Sequence, residues 1–493
     1  MNKKILFLSI VSILYSNQLY AGNYGDVYGA HARANGMGNA VSAIVNDSSA
    51  VFYNVAGLGR VSEGELIRAI LLSEMNKTKP ITNEEGEGGE TEGSTAVPSS
   101  ESEPGIVDNL KDDFGNFHTG IFDHKSLMHP DNYLTEMTIM ANYANPVLTT
   151  NAPSNQDLSR TSDHYGALGL SINLSSVYDL KRNIRIGLNI HLPASGNLMV
   201  VNDLNPTVHR HLQHGITNQK PTIMGGLGIE VIKDMLYLGA GFNVLAKGTG
   251  AILLKDVPIS PDTVTPNQQA IIELKPLATP NYGMQFRYGK LNFGVAYRRE
   301  IAMSVDALNA RAQTTLLSIQ LDMDVALLQY YSPRIWTYGF AYNASDRLTL
   351  SFDLNRELWS GYKLSRTKKT YSEDIYLNDT ANYRAGLEYK LFKSVRVRAG
   401  YTKRPTPIRH NPTTINWIDF DKLIATGGFT YILFPSADGI LSKLQNPVTF
   451  DFVLEYQKMH GRFIRKYIPT NTNPDYSSGG RAWHAGVSIS LFY

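Results

Sequence analysis

The segment His209-Arg210-His211-Leu212-Gln213-His214 places three imidazoles in an H-x-H-x-x-H spacing. Three neutral imidazoles can ligate zinc or copper when a helix or strand fixes their directions. No periodic pattern fixes them here, so a solvated loop is the competing reading and no cofactor is expected. Ser, His and Asp occur throughout the chain, but no G-x-S-x-G nucleophile elbow is present. An enzyme is not expected. The remaining chemistry lies in Arg287, Arg298, Arg384, Arg396 and Arg398, whose guanidinium groups could hold an anionic group by charge-assisted hydrogen bonds. The competing reading pairs them with Asp353, Glu388, Asp451 or Glu455.

The elements that carry those arginines alternate. Leu348, Leu350, Phe352 and Leu354 interleave with Thr349, Ser351, Asp353 and Asn355. Val395, Val397, Ala399 and Tyr401 interleave with Arg396, Arg398, Gly400 and Thr402. Such strands put apolar residues on one face and polar residues on the other. A closed barrel can then span a bilayer with the apolar face outward and the arginines inward. The last segment agrees, because Val487, Ile489, Leu491 and Tyr493 share a face and end on an aromatic.

About fourteen strands are expected, near 62–73, 164–175, 184–194, 220–231, 236–250, 270–288, 291–304, 328–343, 347–360, 381–391, 394–403, 422–433, 447–459 and 481–493. Short links follow the even strands and longer ones the odd strands. An even-numbered barrel with both ends on the periplasmic side requires that parity. The link near Pro435–Pro447 is the exception and is a candidate for a small periplasmic helix. Residues 74–163 form a long insertion after the first strand, and Asn83–Gly105 within it is rich in Glu, Gly, Ser and Thr. It is too polar to offset the entropy of ordering and reads as a mobile outer loop. Within it, Met137–Tyr143 is apolar enough to be ordered.

Composition fits an exported barrel. The 493 residues include 28 Tyr, 41 Gly and no Cys. Tyr suits membrane interfaces and Gly suits close packing inside a barrel. Without Cys there is neither a disulfide framework nor a lipid-modified N-terminal Cys. Lys3 and Lys4 precede an apolar run from Ile5 to Tyr15 and a small-residue site at Ala21, the pattern of a secretory signal over residues 1–21. Removing two of the 46 basic residues leaves 44 against 44 acidic ones, which argues against a nucleic-acid partner.

One segment before the strands is not strand-like: ANGMGNAVSAIVNDSSAVFYNVAGLG, Ala34 to Gly59. It resembles the N-terminal hatch of the FadL family of outer-membrane long-chain fatty-acid transporters. Gly36-Met37-Gly38, Asp47-Ser48, Ala50 and Phe52-Tyr53-Asn54 followed by Ala56-Gly57-Leu58 carry the likeness. The stretches RNIRIGLNIHLPASG and KPTIMGGLGIEVIKDMLYLGAGFNVL resemble the family's third to fifth strands, and later strands follow in order.

The resemblance implies an all-β, 14-stranded antiparallel transmembrane barrel (62–493), plugged in its lumen by a hatch (22–61). It implies a multi-pass protein of the bacterial outer membrane that passively takes up long-chain fatty acids or similar hydrophobic molecules. Assembly machinery and membrane lipid are the expected partners, and a monomer is expected. Phe52, Asn54, Val55 and Ala56 are the candidates for gating. Pro193 and Gly196 are the candidates for an inward kink in the third strand that opens a lateral exit. The five arginines become candidates for a ligand carboxylate. Val55 stands where the family has Pro, so hatch movement need not follow the family pattern. The alternatives are a channel for other apolar compounds, such as aromatic hydrocarbons, and a surface adhesin that uses the acidic loop.

Overall fold

A computed structural model of the protein describes residues 24–68 and 135–493, with breaks at 153–162, 179, 194–208, 215–221, 246–247, 255–256, 261–262, 266–267, 275–276, 305–310, 317–318, 325–328, 363–376, 411, 414–415, 436–445 and 472. The signal segment, Asn83–Gly105, Gly196 and the proposed helix near 435–447 lie largely or wholly outside these residues.

Fourteen antiparallel strands close into one barrel. In chain order they are β1 (Glu136–Thr150), β2 (Asp163–Asn173), β3 (Ile184–Pro193), β4 (Thr222–Ile232), β5 (Leu236–Leu245), β6 (Leu277–Tyr288) and β7 (Leu291–Arg298). The second half is β8 (Arg334–Asn343), β9 (Leu348–Leu358), β10 (Thr380–Lys390), β11 (Val395–Arg404), β12 (Lys422–Leu433), β13 (Val448–Ile464) and β14 (Tyr476–Phe492). Each pairs with its chain neighbours, and β1 closes the circle on β14 from Glu136↔Phe492 to Thr150↔Ser478. Closure satisfies the backbone donors and acceptors that an open edge would leave bare in lipid. No helix among the described residues is long and apolar enough to cross a membrane.

The inside–outside alternation is as the sequence predicts. On β9, Leu350 and Phe352 are 42% and 43% exposed, whereas Ser351 and Asp353 are 7% and 1% exposed. Outward-facing Tyr143, Tyr338, Tyr383, Tyr401 and Trp483 add exposed aromatic rings. Aromatic girdles of this kind sit at membrane–water boundaries.

The first strand is not where the sequence pattern put it. Residues 62–73 were expected to be a strand, but Glu63–Arg68 is helical. Ser62 and Glu65 form a capping box there: Ser62 N donates to Glu65 Oε2 at 2.6 Å, and Glu65 N donates to Ser62 Oγ at 3.2 Å. The first strand is instead β1, inside the supposed 74–163 outer loop and around the apolar Met137–Tyr143. Thr135 and Tyr493 exchange backbone hydrogen bonds of 3.0 and 2.9 Å. Gly64 lies against Phe492. The chain therefore leaves the helix and enters β1 at the end of the barrel that carries Tyr493. In an even-stranded outer-membrane barrel this is the periplasmic, short-turn end. The acidic segment between the helix and β1 lies outside the described residues.

Residues 24–62 run inside the barrel. They include three short helices, α1 (Tyr24–Tyr28), α2 (Ala32–Gly36) and α3 (Ala50–Tyr53), and a 3-10 turn at Val55–Gly59. Its buried apolar core includes Met37, Val41, Val45, Val51, Tyr53, Val55 and Leu58. Glycines of the wall face this segment on strand after strand. Gly187 of β3 meets Leu58, Gly226 of β4 meets Val55, Gly283 of β6 meets Asn54, Gly294 of β7 meets Ser42, Gly386 of β10 meets Met37 and Gly400 of β11 meets Gly38. A β-carbon at Gly239 would come within 2.5 Å of the Val55 carbonyl carbon. No side chain can enter that space without moving backbone. Gly239→Val is expected to destabilise the folded barrel by about 1–3 kcal/mol through overpacking. Thermal unfolding in detergent measures it, and an unchanged midpoint would refute this packing.

Candidate functional site

The plug is held differently on its two sides. Against β3 to β6 it meets backbone and glycines. Asn54 Nδ2 donates to the Ser42 carbonyl at 2.8 Å and to the Met284 carbonyl of β6 at 3.0 Å. Asn281 Nδ2 donates to the Val51 carbonyl at 3.0 Å. Asn183 Nδ2 donates to the Arg60 carbonyl at 2.8 Å. These side chains satisfy carbonyls that non-helical backbone would otherwise leave unpaired.

Against β10 to β13 charge is added to the glycine contacts at Gly386 and Gly400. Arg33 lies 3.2 Å from Glu63 and 3.4 Å from Glu388. Arg398 bridges Glu388 at 2.6 Å and Asp451 at 3.0 Å. Arg396 pairs with Glu63. Burial alone would raise the Glu63 carboxyl, but Arg33 and Arg396 beside it hold it down at about 2. The paired charges and hydrogen bonds make up what desolvation costs.

A pocket opens between the plug and the inner faces of β6 to β10. It is lined by Phe52, Tyr53, Asn54 and Val55 of the plug, and by Asn281, Arg298, Asp353, Asn355, Glu357 and Arg384 of the wall, with Asp26 at its edge. Phe52 stands edge-on to Tyr53 at 4.9 Å, and the Arg298 guanidinium lies 5.0 Å from the Phe52 ring centre. Arg298 also pairs with Asp26. Arg384 donates to the Asn39 carbonyl at 3.4 Å and to the Asn355 amide oxygen at 2.9 and 3.2 Å; Asp353 stands opposite it on β9, but no carboxylate among the described residues closes to an ion pair with it.

The candidate residues therefore separate. Phe52, Asn54 and Val55 line the pocket, whereas Ala56 packs on Gly239 and Gly283. Val55 is the first residue of the 3-10 turn. At that position a backbone N–H has no partner within the turn, so proline and valine are both tolerated. Arg298 and Arg384 reach the pocket, Arg396 and Arg398 are held in the ion-pair cluster, and Arg287 is exposed near the short-turn end. Asp26, Asn281, Asn355 and Glu357 were missed. The last two sit on the polar face of β9, whose alternation was visible. Nothing in the sequence singled them out from other inward polar residues.

The expected kink in β3 is absent over its described length. Ile184–His191 pairs without a register shift to β4, and Arg185–Pro193 pairs the same way to β2. Pro193 is the last residue of the strand, at its outer end. Proline is tolerated there because no further ladder bond is needed from its nitrogen. Gly196 and the rest of the expected exit lie outside the described residues.

The outer mouth is covered. Arg210–His211 pairs in parallel with Trp417–Ile418, and Leu212 N donates to the Ile418 carbonyl at 2.9 Å. Trp417, Trp359, Tyr362, Leu212, Leu377 and Ile408 pack into one buried cluster. The three histidines are buried in this cover, which corrects the solvated-loop reading. They face different aromatic rings: His209 lies against Tyr476, His211 against Phe420 and His214 against Tyr28 of the plug. Burial, reinforced by Lys422, pushes His211 down to about 4, so its ring is neutral near pH 7. No cluster of His, Asp or Glu among the described residues is arranged to hold a metal ion.

The ion-pair cluster gives a directed test. Glu63 titrates below its ordinary value of 4.5, so its pairing is fully present above that pH and is lost as pH falls toward 2. Glu63→Gln should loosen the plug at neutral pH by about 3–5 kcal/mol of lost buried pairing. Hydrogen exchange of residues 30–62 should rise severalfold in the variant. No difference between variant and parent would sink the idea.

Residues 232–438 match the family model for the outer membrane protein transport proteins, OMPP1/FadL/TodX. Among solved structures the fold is similar to a Pseudomonas aeruginosa FadL homologue, with 13% identity, a TM-score of 0.53 and coverage of 94% of this chain and 98% of that one. A Pseudomonas putida toluene transporter, TodX, has 11% identity and a TM-score of 0.38, covering 73% of this chain and 90% of that one. No curated protein matches the sequence. The chain is thus a closed 14-stranded β-barrel with an internal N-terminal plug, and its stretch 232–438 is similar to the OMPP1/FadL/TodX outer membrane transport proteins.

Proposed function

We propose that the protein passively carries hydrophobic molecules with an acidic head, long-chain fatty acids first among them, through the pocket beside Phe52–Val55. The observation that supports this reading is Arg384, a pocket cation with no ion pair among the described residues. A carboxylate entering a buried site must replace its lost hydration with a cation or donors. Arg384 and the nearby Asn355 and Asn281 can supply them, while Phe52 and Tyr53 offer apolar surface for a tail.

In this reading the plug is the gate. A ligand pressing on Phe52 strains Asn54, which ties the plug to Ser42 and to β6. Local rearrangement of residues 50–56 then opens the way toward the short-turn end, with the ion-pair cluster keeping the rest of the plug seated. The unshifted pairing of β3 as far as His191 is consistent with a route past the plug. No energy source or cofactor is needed.

The second reading is a channel for uncharged aromatic compounds, favoured by the aromatic cover at the outer mouth. Uptake of labelled oleate and labelled toluene by cells lacking other carriers separates the two. Arg384→Gln should cut oleate uptake by tenfold or more and leave toluene uptake near the parent level. Toluene uptake without oleate uptake in the parent would establish the second reading.

A further inference from the structure

The lipid-facing wall carries a strip of cations that the transport path does not use. Lys403 of β11, Lys458 of β13 and Arg481 of β14 are all exposed and share the outward face with Tyr401, Tyr456 and Trp483. They lie in one register row: Lys403 opposes Leu423, Leu423 opposes Lys458, and Lys458 opposes Arg481. The row two residues nearer the membrane centre is Tyr401, Ala425, Tyr456 and Trp483, with the last two rings 4.6 Å apart. Two residues of strand span roughly 6–7 Å. The cations therefore stand just outside the aromatic girdle, on the side away from Tyr493.

Like charges directly opposed across a strand pair are unfavourable. Lys458 opposite Arg481 is such a pair, and neither has an ion pair among the described residues. Asp421 and Asp475, at the outer ends of the same strands, accept the backbone N–H groups of Thr406 and Lys466 at 2.8 and 2.7 Å. On the other side of the barrel, outward positions near the outer ends of β3 to β7 are Leu192, Ile223, Val244, Pro280 and Tyr297. Those five positions carry no charge, and Arg356 of β9, exposed and opposite Trp336, is a further outward cation, single and outside the row.

Directly above the strip the wall has a notch. Between Met459 and Arg462 the β13–β14 register shifts, and Gly461 and Gly479 leave a recess. Thr149, Thr150, Asn151 and Ser477 line it with hydroxyl and amide groups, and Phe463 forms an apolar side. A ligand that suits the wall has acyl chains below the aromatic rings, phosphate at the cation row and a sugar at the hydroxyl-lined notch.

We propose that the outer face of β11–β14 binds the phosphorylated glycolipid of the outer leaflet, with phosphate on Lys403, Lys458 and Arg481 and sugar in the Gly461–Gly479 notch. Charge complementarity carries the assignment: three cations in one row need a multiply anionic partner at headgroup depth. The site faces lipid and is independent of the pocket behind the plug.

The test uses the full-length protein purified in detergent, with bound lipid measured by native mass spectrometry. The probes are bisphosphorylated lipid A, its dephosphorylated form and phosphatidylglycerol. The parent should bind lipid A at least tenfold more tightly than either of the others. Lys403→Gln/Lys458→Gln/Arg481→Gln should weaken lipid A binding on the order of a hundredfold, roughly fivefold per charge. Should the triple variant fail to fold, Lys458→Gln alone and a salt titration of the parent read the same contribution. Equal binding of lipid A and its dephosphorylated form, or an unaffected variant, overturns the proposal. Phosphatidylglycerol binding as tightly as lipid A overturns the glycolipid assignment.

Discussion

The interior of this barrel depends on one constraint: a length of irregular backbone must fit inside a closed wall with its polar groups satisfied. Regular strands satisfy their neighbours, but the plug at residues 29–60 has no ladder of its own. The wall supplies partners from inward-facing Asn and Gln, such as Asn281, Asn183 and Gln285. It supplies room through glycine, because only a residue without a β-carbon lets two backbones approach this closely. Part of the high glycine content of the chain is the counterpart of the plug.

The two sides of the plug differ in what holds them. The glycine contacts, which run from β3 round to β11, are short-ranged and depend on shape. The ion pairs on β10 to β13 are strong only while they stay complete, since a single missing partner leaves a buried charge. The pocket lies between these regimes, beside residues 52–55, where contact passes from shape to charge. A local shift there disturbs few bonds, whereas expulsion of the whole plug would break the Arg33–Glu388 and Glu63–Arg396 pairs together and leave buried charges on both sides.

Several features could not be read along the chain. β1 lies within a long polar insertion, and its alternation is diluted by Asn142, Asn145 and Pro146. The segment 62–73 offered a comparable pattern with no such interruption, but its capping box starts a helix. The histidines looked solvated because their spacing carries no period. Burial comes from Trp417–Ile418, some two hundred residues away, pairing with Arg210–His211. Pro193 was read as a kink, and a proline in a strand pattern does suit a kink, a bulge or an end equally well.

By itself the sequence determined the all-β class, thirteen of the fourteen strand positions, the parity of long and short links, and the presence of a plug. Alternation and turn chemistry are local, and so are written in neighbouring residues. Only the tertiary structure decided which strand opens the barrel, which arginines are held by carboxylates and which reach a pocket, and that β3 pairs without a register shift as far as His191. Those outcomes depend on distances between residues far apart in the chain. Arg384 and Arg398 carry the same charge on the same inner surface of neighbouring strands, and they differ because Glu388 and Asp451 stand beside one and not the other.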